Sequence, residues 1–391
     1  MEQVILTIDA GTTSVKTSVF SKELIMLATS IQEYQLCTVG GFVEVPAQKY
    51  ITAVCLGIEA VKKAVPNIKI SAIGITTQGE SFVALDKNGE PLDNFIVWLD
   101  SRAENEANQL LKQFSEQRFY EETGLPAITS ALPLAKLLWL KNNKNEIFSK
   151  ANKFLLLEDF LLYKLTGLYV SEKSIQTSTG WFSLTIDDYW PEALSAVGLS
   201  PQKLPMLLES GSFVGSLTNE AASLFSLDKG IPIVAGAMDQ TAAALAAGST
   251  KAGVVTETTG TALVLTACTD NPVFAKGHHV TIYRHAIKGQ YLYLPIGNTA
   301  GMALKWFRDT LCSDISQGGY DAMDSLAVQS CCGANGIVFL PYLSGAVDPD
   351  NCPSAVASFF GITLATTRED LTRSVLEATG YMLRDFMDML K

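Results

Sequence analysis

The chain has 391 residues, 48% of them hydrophobic and 18% charged, which allows two or three domains with sizeable cores. Its net charge of −11 excludes the basic surface that nucleic acid or an anionic membrane requires. Phosphate groups would have to be held locally, by backbone amides, a metal ion and a few cations. Val4 to Ile8 is a short apolar run, interrupted by Asp9-Ala10-Gly11-Thr12-Thr13 and resumed by Val15 to Phe20, which predicts a β-hairpin with a Gly- and hydroxyl-rich connection. A third short strand is expected near Ile25 to Thr29, then a helix over Gln48 to Val65, where Ile51, Val54, Cys55, Ile58 and Val61 recur at helical spacing. Ile68 to Thr76 reads as a strand buried on both faces, and Ser81 to Leu85 pairs with Phe95 to Leu99 across the turn Asp86-Lys87-Asn88-Gly89.

Helices are predicted over Ala103 to Phe114, Leu134 to Asn142 and Leu155 to Leu165, the last closed by Thr166-Gly167. Ile231 to Ala235 is a strand and Gln240 to Ala247 a helix of small residues. The opening pattern then returns: strand Val254 to Glu257, turn Thr258-Thr259-Gly260-Thr261, strand Ala262 to Thr266. The repeat suggests a duplicated core and two domains, residues 1–247 and 248–391. A strand over Tyr291 to Ile296, a helix over Gly301 to Leu311, a strand over Gly336 to Leu340 and a long helix from Arg368 complete the second.

Seven cysteines without a CxxC pair fit a reducing cytosol, and the vicinal pair Cys331-Cys332 reads as two small buried residues. His278 and His279 lack a Cys or carboxylate partner at metal spacing, which argues against zinc. The opening MEQVILTID carries no signal-peptide pattern and no apolar run is long enough to span a bilayer, so a cytoplasmic protein without membrane partners is expected.

Gly11 lets backbone approach a phosphate, Thr12, Thr13 and Ser14 add donors, Lys16 adds a charge, and Asp9 is placed to hold Mg²⁺ through water. The alternative for Asp9 to Thr12 is a turn closed by an Asx bond. Asp239 follows one strand and precedes a helix; it is either an N-cap or a general base that takes a proton from an attacking hydroxyl. Thr77-Gln78-Gly79-Glu80 and Trp98-Leu99-Asp100-Ser101-Arg102 each follow a strand of what reads as one sheet, where sugar hydroxyls would find partners. The structural alternatives are core packing for Trp98 and a surface ion pair for Arg102.

In order along the chain, Asp9 to Lys16, Trp98 to Arg102, Leu132 to Leu140, Gly236-Ala237-Met238-Asp239-Gln240, Thr259-Gly260-Thr261, Gly301 to Asp309 and Ala357 to Glu377 resemble the motifs of the FGGY carbohydrate kinases. The resemblance implies an α/β fold made of two actin-like, RNase H-like domains with MgATP and a sugar in the cleft between them. It implies Asp239 as catalytic base and Asp9 with Asp239 at the metal. Gln78, Gly79, Glu80, Trp98, Asp100, Arg102, Asp239 and Gln240 would bind the sugar. Gly11, Thr12, Thr13, Lys16, Gly260, Thr261, Gly301 and Lys305 would hold ATP. A homodimer is compatible with it.

The departures from the family pattern shape the expected substrate. Glycerol kinases carry Arg-Glu where this chain has Gly79-Glu80, which disfavours glycerol. Gln78-Gly79-Glu80 also differs from the Gln-Met-His run usual in xylulokinases. The expected acceptor is a ketopentose such as xylulose, with a related ketose, aldonate or polyol open. Ala346-Val347 stands where most relatives have Glu-Arg. Relatives also continue into a Gly-rich adenosine-binding turn beyond the point where this sequence stops. The expectation is therefore an incomplete second domain, and a catalytically silent sugar-binding relative is the alternative to an active kinase.

Overall fold

The computed structural model describes residues 2–276, 279–348, 352 and 354–390. His278 lies outside the described residues. Two compact units are present, Met1–Ala247 with Tyr283–Tyr291, and Gly248–Ile282 with Leu292–Lys391.

The first unit is built on a six-stranded sheet in the order Phe213–Ser216, Pro232–Met238, Ile68–Thr77, Glu2–Ala10, Ser14–Phe20, Met26–Glu33. The opening strand alternates, burying Val4, Leu6, Ile8 and Ala10. It runs antiparallel to Ser14–Phe20, as the Gly/Thr connection predicts, and parallel to Ile68–Thr77, which in turn runs parallel to Pro232–Met238. Three neighbouring strands therefore end along one edge of the sheet. The helix Ala47–Ala64 lays Tyr50, Ile51, Val54, Ile58 and Val61 into this core. Gly57 makes the close approach possible, because a Cβ there would lie 2.3 Å from Thr17 Oγ1.

A second core in the same unit gathers Phe82, Phe119, Phe154, Trp181 and Trp190 with the helices Glu104–Leu110, Pro133–Asn143 and Pro191–Val197. Beside it runs a smaller five-stranded sheet, in the order Cys37–Val39, Phe42–Val45, Phe95–Ile96, Phe82–Leu85, Lys153–Leu156. Here the expectation of one sheet fails. Thr77 to Glu80 leave the large sheet, whereas Trp98 to Arg102 follow Phe95–Ile96 of the small one. The expected helix over Leu155 to Leu165 also gives way at its start, since Leu155 and Leu156 pair with Val83 and Phe82 and the helix runs over Leu157–Thr166. Phe154, Leu155 and Leu156 are all buried, and a continuous apolar run does not distinguish a buried strand from a buried helix.

The second unit contains the repeated hairpin. Val255–Thr259 pairs antiparallel with Leu263–Thr269, which also pairs antiparallel with Ile296–Gly297. The expected strand over Tyr291 to Ile296 is two short pieces, Tyr291–Tyr293 and Ile296–Gly297. The helices Gly301–Leu311, Gly319–Ala327 and Arg368–Met389 close around Phe307, Met323, Phe339 and Val375. The last begins in a capping box: Thr367 Oγ1 accepts from the Asp370 amide and Asp370 Oδ2 from the Thr367 amide. Cys331 and Cys332, expected to be buried, are exposed in the turn ahead of Ala334–Gly336. Polar neighbours hold them there, Cys332 Sγ accepting from Arg373 Nη2 at 3.0 Å and Cys331 Sγ contacting Asn335 Oδ1 at 3.0 Å. Among the described residues no helix is long and apolar enough to cross a membrane.

Candidate active site

Sheet register decides which groups meet at the strand ends. Asp9 lies opposite Thr76 and Ala10 opposite Thr77, while Met238 lies opposite Thr77 on the other side. The chain continues into Gly11, Gln78 and Asp239, so these three stand side by side where the strands stop. The Gln78 amide donates to Ala10 O at 3.0 Å, tying two of the ends together. Gln78 is buried; its Oε1 accepts from Thr12 Oγ1 at 2.8 Å, and Thr12 Oγ1 accepts in turn from Trp98 Nε1 at 2.9 Å. That chain of bonds links the turn after the first strand to the Trp98 loop. Trp98 is 39% exposed and therefore not a core residue. Tyr34 Oη donates to Gly11 O and fixes the turn from behind.

Asp239 is half-buried at the first position of the helix Asp239–Ala246, and the cap residue is Met238. The N-cap alternative therefore does not describe it, and its Oδ1 accepts from the Gln240 amide at 2.6 Å. Burial pushes its carboxyl up to about 6, with the charge of Asp9 adding to the shift. Asp9 is raised as well, mainly by burial, although Lys16 Nζ at 3.7 Å pulls it back. Glu80, in the left-handed region at φ 63°, is raised by burial; Lys136 opposes that shift and Asp239 adds to it. Lys136 is fully buried, donates to Val97 O at 2.8 Å and to Trp98 O at 3.3 Å, and is lowered by burial. It supports the Trp98 loop from beneath.

Asp100 and Arg102 form a closed knot. Arg102 donates through Nε to Asp100 Oδ1 at 2.8 Å, and through Nη2 to Asp100 Oδ2 and Glu44 Oε1, both at 2.7 Å. Its guanidinium lies 4.1 Å from the Phe42 ring centroid and 4.9 Å from that of Trp139. The side chains of Arg102 and Asp100 are 1% and 0% exposed. The surface ion pair is thus a buried one, and Arg102 braces the loop that presents Trp98.

In the second unit, the Gly260 amide donates to Ala262 O at 2.9 Å, and Gly260 O accepts from the Gly301 amide at 3.0 Å. A Cβ on Gly301 would meet Gly260 O at 2.3 Å, so only glycine lets the helix Gly301–Leu311 start against this turn. Gly260 and Thr261 are exposed, and Lys305 on the same helix pairs with Asp309 at 2.8 Å.

The description "FGGY family of carbohydrate kinases, N-terminal domain" fits residues 4–246, and its C-terminal counterpart fits residues 254–391. The chain belongs to the FGGY family of carbohydrate kinases. It is similar to a gluconokinase of Bacillus subtilis (strain 168), 29% identical over 391 residues that cover 98% of this chain and 76% of that protein. A xylulose kinase of Staphylococcus xylosus is 26% identical over 391 residues, covering 99% and 80%. Among solved structures, a ligand-bound xylulose kinase from Lactobacillus acidophilus aligns with a TM-score of 0.92 at 26% identity, over 99% of this chain and 78% of that one. This FGGY protein is therefore a kinase that phosphorylates a sugar alcohol group.

Two features of the kinase's first unit escaped the reading of its sequence. Tyr283 comes from the Tyr283–Tyr291 segment and is half-buried; burial above all raises its phenol, with the charges of Glu80 and Asp239 adding to the shift. No pattern in the chain assigns that segment to the first unit. Glu158, Asp159 and Glu172 are fully buried carboxyls behind the strand that delivers Asp239. Their signal was present: Glu158-Asp159 sits inside the apolar run Phe154 to Leu165, where a charged residue needs a reason.

A Mg²⁺ ion fits the donor set. Asp9 and Asp239 are hard oxygen donors, and the charge of Asp9 adds to the burial that raises the Asp239 carboxyl, so a divalent cation would relieve that repulsion. Among the described residues no group of three or more His, Cys, Asp or Glu could hold a metal ion.

Proposed function

We propose that this kinase transfers the γ-phosphoryl group of ATP to a terminal hydroxyl of a ketopentose such as xylulose, or of a related ketose, aldonate or polyol. Asp239 is the general base. The observation that carries this reading is the meeting of Asp9, Gln78 and Asp239 at three adjacent strand ends, with Asp239 half-buried and raised to about 6. A base of that kind takes a hydroxyl proton near neutrality better than an ordinary surface carboxylate.

In the transfer, the sugar hydroxyl gives its proton to Asp239 as its oxygen bonds to the γ-phosphorus, and the bond to the bridging oxygen breaks to release ADP. Gln78, Glu80 and Gln240 offer hydrogen bonds to the remaining hydroxyls, and Trp98 offers a ring face to the C–H side. Asp9 and Asp239 would hold Mg²⁺, which when bound neutralises charge on the phosphoryl oxygens. The turn Gly11-Thr12-Thr13 with Lys16 in the first unit offers phosphate donors. In the second, Gly260 and Thr261, beside Gly301 and Lys305, are the corresponding groups.

Gly79 bears on the sugar. A Cβ there would lie 2.7 Å from Ser178 Oγ and 3.2 Å from Met238 Sδ, so this backbone has no space for the Arg found in glycerol kinases. Glycerol is accordingly disfavoured. The test is ADP release from ATP over pentuloses, hexuloses, polyols and aldonates, with Asp239→Asn as control. A sugar-dependent signal that vanishes in the control supports the reading, and the same signal in both proteins defeats it.

A further inference from the structure

The strand that carries Asp239 is irregular just before it. Ala235 pairs with Ile75 and Ala237 with Thr76, so Gly236 is an extra residue with no partner in the parallel ladder, a β-bulge. Only glycine can occupy the position, since a Cβ would fall 1.6 Å from Ile75 O. A bulge frees backbone groups that must find partners elsewhere when buried. Here side chains supply them. The Gly236 amide donates to Glu158 Oε1 at 3.1 Å. The Met238 amide donates to Ser174 Oγ at 3.0 Å. Ala237 O accepts from Thr76 Oγ1 at 2.6 Å.

The two acceptors are themselves anchored. Glu158 lies in the first turn of Leu157–Thr166, a helix packed in the main core, and is fully buried. Ser174 Oγ donates to Glu172 Oε1 at 2.6 Å, and Glu172 also accepts from the Ser174 amide at 2.7 Å, the Ile175 amide at 2.5 Å and Ser210 Oγ at 2.7 Å. Every one of these residues is in the first unit. Glu158 and Ser174 hold backbone groups of this strand, and neither they nor Glu172 are among the residues proposed to bind the sugar.

We propose that Glu158 and the Glu172-Ser174 pair are positioning residues, which clamp the Gly236 bulge and so fix the direction in which the Asp239 carboxylate points. The inference rests on Asp239 being the base. A bulge bends the strand and re-aims the side chains after it. Without fixed partners for Gly236 and Met238 the bulge relaxes toward regular pairing. Asp239, one residue on, then loses its alignment with the acceptor hydroxyl. Proton transfer is steep in that alignment, whereas sugar binding is shared among several groups. Burial raises Glu158 above its ordinary value, the neighbouring carboxyls of Glu172 and Asp159 adding to the effect. Glu158 accepts from the Gly236 amide through one oxygen, and glutamine reproduces that acceptor and its shape.

Glu158→Leu, Glu158→Gln, Ser174→Ala and Asp239→Asn, each made in the full chain, separate these claims. Sugar turnover gives kcat and KM, and titration calorimetry gives sugar affinity. The clamp predicts a kcat loss on the order of 10²-fold for Glu158→Leu, with KM and sugar affinity within about twofold. Glu158→Gln restores kcat to within about threefold of wild type, and Ser174→Ala loses roughly tenfold in kcat alone. A folded Glu158→Leu with wild-type kcat overturns the proposal, as does a Gln variant as impaired as the Leu one. Should Glu158→Leu not fold, Ser174→Ala decides alone, and an unchanged kcat there overturns the clamp. Turnover by Asp239→Asn would overturn the base assignment and the clamp with it. A dead Asp239→Asn beside a fully active Glu158→Leu overturns the clamp only.

Discussion

Two clusters of acidic groups in the first unit use the same residue types to opposite ends. In the Asp100–Arg102–Glu44 knot, every carboxylate has its cation within 2.7 Å, and side-chain hydrogen bonds to Arg102 hold Asp100 below its ordinary range despite burial. At the strand ends, Asp9, Glu80 and Asp239 are all raised. The first cluster has its charge fully answered within the fold. The second leaves much of its negative charge unanswered, Lys16 only partly offsetting Asp9 and Lys136 only partly offsetting Glu80, which is what the proposed base and metal site require.

The largest expected effect tests the unanswered cluster. Asp239→Asn should lower kcat by about 10²–10⁴-fold, the usual weight of a positioned general base, and leave sugar affinity near wild type by calorimetry. Equal losses of affinity and turnover would make Asp239 a binding group instead. The answered cluster should behave in the reverse way. Arg102→Leu strands Asp100 and Glu44 without their cation and should cost about 3–5 kcal/mol in urea unfolding, while kcat per folded molecule changes little. A stable Arg102→Leu protein that binds no sugar would return Arg102 to the site.

What the chain revealed of this contrast followed from local chemistry. The two Gly/Thr hairpins were legible because a turn with Gly11 or Gly260 between apolar runs has few alternatives. Asp9 and Asp239 were legible because each ends a strand. The division of labour was not. Trp98-Leu99-Asp100-Ser101-Arg102 gives no hint that Arg102 is spent on Glu44, which lies 58 residues earlier. Tyr283 belongs to a segment that returns to the first unit after the second has begun. Ser171 to Thr179 is rich in polar residues, yet most of it is fully buried, and its proposed role as a clamp follows from long-range contacts such as Ser174 with Met238.

A smaller effect concerns which sugar the unanswered cluster serves. If Gly79 excludes a side chain between Ser178 and Met238, glycerol should give kcat/KM lower than a ketopentose by roughly tenfold or more, about what one good hydrogen bond contributes. Glycerol turnover matching that of the best sugar would remove Gly79 from the account of specificity.

The smallest effect comes from a third acidic group that resembles neither cluster. Glu158, Asp159 and Glu172 are buried and, among the described residues, form no ion pair with Lys or Arg, and all three are raised, Asp159 to about 8 through burial above all. A folded-state value above the unfolded one means that the native protein holds a proton the unfolded chain releases. The stability this contributes is complete below the unfolded value near 3.8 and is lost as pH rises through about 8. Wild type should therefore lose part of its unfolding free energy between about pH 5 and about pH 8. Asp159→Asn keeps an acceptor for the Leu156 amide, which Asp159 Oδ2 now receives at 2.9 Å, and removes the proton from the balance. Its stability should change less over the same range, so the difference between the two proteins grows toward alkaline pH in favour of the variant. Parallel pH profiles would mean that Asp159 is ionised in the fold, and the Glu158 beside it would then face a full negative charge that the clamp on Gly236 does not accommodate.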